Sequence, residues 1–94
     1  MPKFDLGQAV ATPGALDLLA RLGVRPAVLL ARHASGDWGD VSIEDSRSNE
    51  SAVADGDRIL SAYQIGDERV WILTEAVGDD GRRAATTILL PDEY

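Results

Sequence analysis

Ninety-four residues with 45% hydrophobic composition suit one folded domain, 1–94, built on a single core, and are too few for two. Nine basic against sixteen acidic side chains leave a net charge of −7, a sign that repels phosphate backbones, so direct nucleic-acid binding is not expected. The lack of cysteine excludes disulfides, thiolate catalysis and the usual structural zinc sites, and one histidine excludes a multi-histidine metal centre within a chain.

The opening Met1-Pro2-Lys3-Phe4-Asp5 has no basic stretch feeding an apolar one, so no secretory signal is expected. The longest uncharged apolar run, Pro26 to Ala31, is far too short to cross a membrane, and a cytoplasmic setting follows. Phe4 to Ala11 alternates loosely and reads as a short strand that ends at Thr12-Pro13. That pair is a helix N-cap followed by proline at the first helical position, where a missing N–H costs nothing.

Within 13–22, Ala15, Leu16, Leu19 and Leu22 recur at helical spacing as one apolar stripe, and Gly23 sits where a left-handed residue closes a helix. Pro26 opens a second helix with Leu29, Leu30 and Ala31 as its buried face and Gly36 closing it after His33. So short a connection makes the two a helical hairpin. After an Asp37-Trp38-Gly39-Asp40 loop, Ser42 stands three residues before Asp45, resembling a capping box, and Glu44 and Asp45 suit the positive end of a helix dipole. A third helix over about 43–54 follows, with Ile43, Asn49, Ala52 and Val53 as its buried line and Asp55-Gly56 ending it.

From Asp57 the period becomes two. Residues 58–65, 69–75 and 84–90 are rich in β-branched and aromatic types and read as three strands, joined by a tight Gly66-Asp67-Glu68 turn and a longer Gly78-Asp79-Asp80-Gly81 loop. The predicted fold is α+β: an N-terminal strand, a helical hairpin, a third helix and a three-stranded antiparallel meander that the first strand is free to join. In the middle strand Val70, Ile72 and Thr74 face one way and Trp71, Leu73 and Glu75 the other. Helices covering one face would leave the other to a partner subunit, so a homodimer is expected.

Polar groups gather between His33 and Glu50. His33 shares the face of Leu29 and Leu30, which suits a histidine satisfied at the core edge. The functional reading pairs it with Asp37 or Asp40 as a general acid or base, the carboxylate raising its pKa. Trp38 reads either as a lid over the helical hairpin or as an aromatic platform for a ligand or a partner side chain. Asn49 reads either as a hydrogen-bond partner for the backbone of the tryptophan loop or as a ligand contact.

Asp37, Asp40, Glu44 and Asp45 do not follow the D-x-[DN]-x-[DN]-G calcium loop, so neither a metal nor a cofactor is expected. No Walker or dinucleotide glycine signature is present. A Ser61-His33-Asp37 triad has the residue types but no nucleophile elbow, and catalysis is not the favoured reading.

Three stretches carry a family resemblance: Phe4-Asp5-Leu6-Gly7-Gln8 with Ala11-Thr12-Pro13-Gly14-Ala15-Leu16; Gly36-Asp37-Trp38-Gly39-Asp40 with Glu44-Asp45 and Asn49-Glu50; and Thr86-Thr87-Ile88-Leu89-Leu90-Pro91-Asp92-Glu93-Tyr94. Together they resemble short bacterial proteins of plasmids and integrative elements, labelled "plasmid-related protein" or, without any methylase motif, type I restriction subunit. The resemblance implies a mobile-genetic-element setting and transfers no catalytic residue. It lapses between Ala76 and Thr86, where Val77 to Arg83 replaces a shorter connection.

The expected function is that of a small acidic accessory protein acting by protein binding, with an anti-defence or DNA-mimic flavour. Asp37, Asp40, Glu44, Asp79 and Asp80 are the acids expected to meet a basic partner. The alternative is a small ligand-binding domain or enzyme with a pocket of His33, Asp37, Trp38, Asp40 and Asn49.

Overall fold

Thr12 ends a strand and starts a helix in the computed structural model, which describes residues 2–94. Its hydroxyl oxygen accepts from the Ala15 N–H, and Pro13 takes the first helical turn. The elements run β1 (Gln8–Ala11), α1 (Pro13–Leu22), α2 (Pro26–Ala34), α3 (Ile43–Asp55), β2 (Ile59–Ile65), β3 (Glu68–Thr74) and β4 (Ala85–Leu89), with a 3-10 turn at Pro91–Glu93. Ser42 caps α3 by accepting from the Asp45 N–H, and Gly23 and Gly56 close α1 and α3 in left-handed conformations. The fold is α+β, as the change of period from helical to two predicts.

The sheet order is β1-β4-β3-β2. β2, β3 and β4 form the expected antiparallel meander, and β1 joins at the edge, parallel to β4, with Val10 opposite Thr87. The first strand is shorter than its apolar pattern suggests because Gly7, at φ 64°, turns the chain against Arg83 and Ala84. A Cβ there would lie 2.3 Å from the Arg83 carbonyl oxygen, so only glycine fits.

One face of the sheet carries the main core. Tyr63, Val70, Ile72 and Ile88 pack there against Ala15, Leu18 and Leu19 of α1 and Leu29 of α2. The apolar stripe of α1 is rotated from the expected one: Leu18 is buried, while Leu16 is 46% exposed. Leu16 lies about 100° round the helix from Ala15, which points it past the sheet edge, and Leu22 is exposed in the last turn. Ala31 of α2 is likewise exposed, and His33 and Ala34 complete that buried face instead. In α3, Asn49 and Ala52 are buried as expected, but Ile43 is 70% exposed because the first turn projects beyond the packed region.

The opposite face is better covered than one bare sheet face would be. Ala62, Leu73 and Leu89 are buried within the single chain, and the Tyr94 ring meets the Trp71 ring edge-on at 5.4 Å.

A second, smaller cluster joins α3 to the outer edge of β2. Trp38, Ala52 and Ile59 form it, with Phe4, Val41 and Val53 packed around them.

Candidate functional site

His33 arrives on α2 with its ring fully buried between helix and sheet. The facing strands offer hydroxyls: Ser61 of β2 lies 2.5 Å from Nδ1, and Thr74 of β3 lies 2.8 Å from Nε2. The chain continues from Thr74 to Thr86 at 2.7 Å, and Thr86 donates to the Leu6 carbonyl oxygen at 2.7 Å.

That final carbonyl sets the direction of every proton in the row. Because Thr86 gives its only hydroxyl proton to Leu6, it must accept from Thr74, and Thr74 must in turn accept from Nε2–H. With burial keeping the ring neutral, Nδ1 is the acceptor and Ser61 donates to it. The ring is the neutral Nε2–H tautomer with both nitrogens satisfied.

Burial pushes the His33 pKa down from 6.5 to about 4, with the nearby Arg83 cation acting in the same direction. The expected carboxylate partner is not there. Asp37 and Asp40 face solvent, where Asp37 accepts from Arg32 Nε at 2.7 Å and Asp40 from Arg69 Nη2 at 2.7 Å. The Arg32 hydrogen bond, helped by the Gly39 N–H on its other oxygen, holds the Asp37 carboxyl below the usual carboxylate range.

Trp38 is 5% exposed, but rather than covering the helical hairpin as a lid it packs between Ala52 of α3 and Ile59 of β2. Its ring stacks on Phe4 at 6.1 Å and meets His33 edge-on at 6.0 Å, while its Nε1–H donates to Glu50 Oε1 at 3.1 Å. The loop that carries it also acts as backbone: the Trp38 carbonyl accepts from the Ala62 N–H, and the Asp40 N–H donates to the Ala62 carbonyl. Gly39, at φ 75°, allows this approach, since a Cβ there would lie 2.1 Å from the Ala62 oxygen.

Asn49 completes the same edge, and here the expected partner is corrected. Its amide contacts the strand rather than the tryptophan loop, with Nδ2 donating to the Leu60 carbonyl at 2.8 Å and Oδ1 accepting from the Leu60 N–H at 3.1 Å. A side-chain amide has the donor and acceptor of a peptide group, so Asn49 stands in for a neighbouring strand. Leu60 and Ala62, whose backbone groups point away from β3, are both satisfied, and the β2 edge is closed to further pairing along that stretch.

Of the five residues expected to form a pocket, His33, Trp38 and Asn49 are buried and committed to internal bonds, and Asp37 and Asp40 are ion-paired at the surface. The Ser61–His33 contact of a triad is present, but both residues are fully buried and the third partner is Thr74, so no substrate reaches a nucleophile.

One structural residue escapes the sequence reading. Arg83, next to Arg82 in a polar loop to which the sequence reading gives no role, is 6% exposed. Its Nη1 donates to the Asp57 and Glu75 carbonyls at 2.7 and 2.9 Å, and its Nη2 donates to the Ala52 carbonyl at 3.0 Å. It thereby ties the end of α3, the approach to β2 and the exit of β3, and burial pushes its pKa down. Arg83→Met should lower unfolding stability by about 2 kcal/mol through the carbonyls it orphans, read as a shift of the urea midpoint. An unchanged midpoint would mean that water replaces the guanidinium without penalty.

Of the sixteen acidic side chains, the described residues pair four with a cation: Glu50 with Lys3, Asp17 with Arg21, Asp37 with Arg32 and Asp40 with Arg69. Glu44, Asp79 and Asp80 are exposed and outside those pairs. No helix among the described residues is long and apolar enough to cross a membrane. Compared with family models, curated proteins and solved structures, the chain finds no match.

Proposed function

We propose that this protein works by binding another protein, offering carboxylates to a basic surface, and performs no chemistry of its own. The observation that carries the reading is a division of labour among polar residues. Those with catalytic potential, His33, Ser61 and Asn49, are buried and hydrogen-bonded to one another or to strands, whereas all the acidic side chains but Glu75 are exposed. A buried, neutral histidine with both nitrogens occupied has no proton to exchange with a ligand.

The resemblance to plasmid and integrative-element proteins supplies the setting: an accessory factor of a mobile element, in the bacterial cytoplasm, with anti-defence action as the purpose. A partner that normally handles DNA fits the charge, because such surfaces are built to meet phosphates. Exposed charge pairs are screened within about 8 Å at physiological ionic strength, so a complex of this kind weakens steeply with salt.

The test captures partners from host extract on the immobilised protein and elutes them with a salt gradient and, separately, with duplex DNA. Elution well below molar salt, together with displacement by DNA, is the expected result. A partner held unchanged from low to molar salt and indifferent to DNA would overturn the electrostatic reading.

A further inference from the structure

The two edges of the sheet are treated in opposite ways. At β2, Asn49 and the tryptophan loop occupy the outward backbone groups of Leu60 and Ala62. At β1 nothing does. Gln8 and Thr12 donate inward to the Ala84 and Ile88 carbonyls, so in a parallel pair the alternate residues, Ala9 and Ala11, turn their N–H and C=O outward. No described residue bonds to these groups, and Gln8, Ala9 and Val10 are exposed.

Open edges are ordinarily guarded by lysine, proline or a bulge. This one carries no such guard: from Leu6 to Leu16 the sequence has no charged side chain, in a chain that is 27% charged overall. The other uncharged stretch of the helical half, Pro26 to Ala31, lies against it. Ala9, Val10, Ala11, Leu16, Pro26 and Leu30 line a shallow apolar groove of about 250 Å³, in which Val10 and Leu16 stand 41% and 46% exposed.

We propose that β1 pairs with β1 of a second copy of this chain, antiparallel about a two-fold axis through Val10, to give one continuous eight-stranded sheet. Antiparallel pairing of a strand with its own copy about a two-fold is isologous, and centring it on Val10 sets the small side chains of Ala9 and Ala11 opposite each other. Ala9 then stands opposite Ala11 of the other copy, and the four outward N–H and four outward C=O groups of the two strands form four ladder hydrogen bonds. Val10 falls on the axis in a non-hydrogen-bonded pair, where side chains approach most closely.

Charge selects the same patch. Two molecules of −7 repel each other over most of their surfaces, and this neutral edge is where that repulsion is weakest. A four-residue strand with its flanks makes a contact at the low end of interface sizes, below about 1,200 Å² in total, the class of weak, reversible associations.

Sedimentation equilibrium from about 10 to several hundred micromolar tests this. The wild type should shift from monomer to dimer mass across that range. Ala9→Pro removes an outward donor while leaving the bonds to β4 in place, and should stay monomeric with an unchanged melting curve. Since the chain has no cysteine, Val10→Cys gives an independent reading: mild oxidation should yield a disulfide-linked dimer, because facing Cα atoms in such a pair lie about 4.5 Å apart. Leu22→Cys, exposed in the last turn of α1 and off the axis, should not cross-link. A monomer mass at every concentration, or a dimer that survives Ala9→Pro while Val10→Cys fails to cross-link, would overturn the proposal. A monomer that instead takes a strand from another protein would overturn it equally.

Discussion

Trp38→Ala should lower the free energy of unfolding by about 4 kcal/mol, in the range for emptying a buried aromatic site. Three losses add up at this one position. The indole fills the space between Phe4, His33, Ala52 and Ile59, so its removal opens a cavity in the smaller core. Its Nε1–H leaves Glu50 without that donor. Its ring also holds the loop whose backbone seals the β2 edge at Ala62, so a loosened loop frees two strand groups. Trp38→Phe keeps most of the volume and should cost only about 1 kcal/mol, the worth of the lost hydrogen bond. Urea denaturation reads both, and an unchanged midpoint for Trp38→Ala would recast the side chain as a surface binding residue.

The sequence showed the elements well where local rules act alone. Thr12-Pro13, Ser42 with Asp45, and Gly23 and Gly56 mark helix ends through contacts a few residues apart, and the structure places those ends there. Buried faces were less legible, because the sheet decides them. Leu16 and Ile43 belong to apolar patterns on their helices, yet the helices meet the sheet along a line that leaves both exposed.

The same distinction separates the site residues. That His33 is buried follows from its spacing to Leu29, whereas its partners depend on strand register, which brings Ser61, Thr74 and Thr86 to the inward face. Inward hydroxyls at strand positions otherwise filled by Ile and Val were the available signal, since each needs a partner and the chain holds one histidine. Arg83 offered no such signal: its three acceptors come from segments that only the finished fold assembles.

The second large effect is a loss of stability in mild acid that is traceable to His33. In the folded protein the ring stays neutral until about pH 4, because protonation would place a charge in a dry site near Arg83 and force Nδ1 to donate where it now accepts. In the unfolded chain the same ring takes a proton near 6.5. Between those two values the unfolded state binds more protons, so falling pH favours it. The contribution is fully present above about 6.5, declines through the interval and is gone below about pH 4, a total of about 3 kcal/mol.

Carboxylates titrate in part of that window, but they do so in any variant, so the comparison that isolates the ring is wild type against His33→Gln. At neutral pH the glutamine variant should be the less stable, since its amide cannot span both Ser61 and Thr74 as the ring does. As pH falls towards 4 the gap should close by about 3 kcal/mol, because only the wild type loses the contribution of a neutral imidazole. The histidine Cε1 proton resonance of the folded protein supplies the direct check: it should stay constant from pH 8 to below 5. A midpoint near 6.5 in the folded state would show that water or a carboxylate reaches the ring, and would return His33 to consideration as a working acid or base.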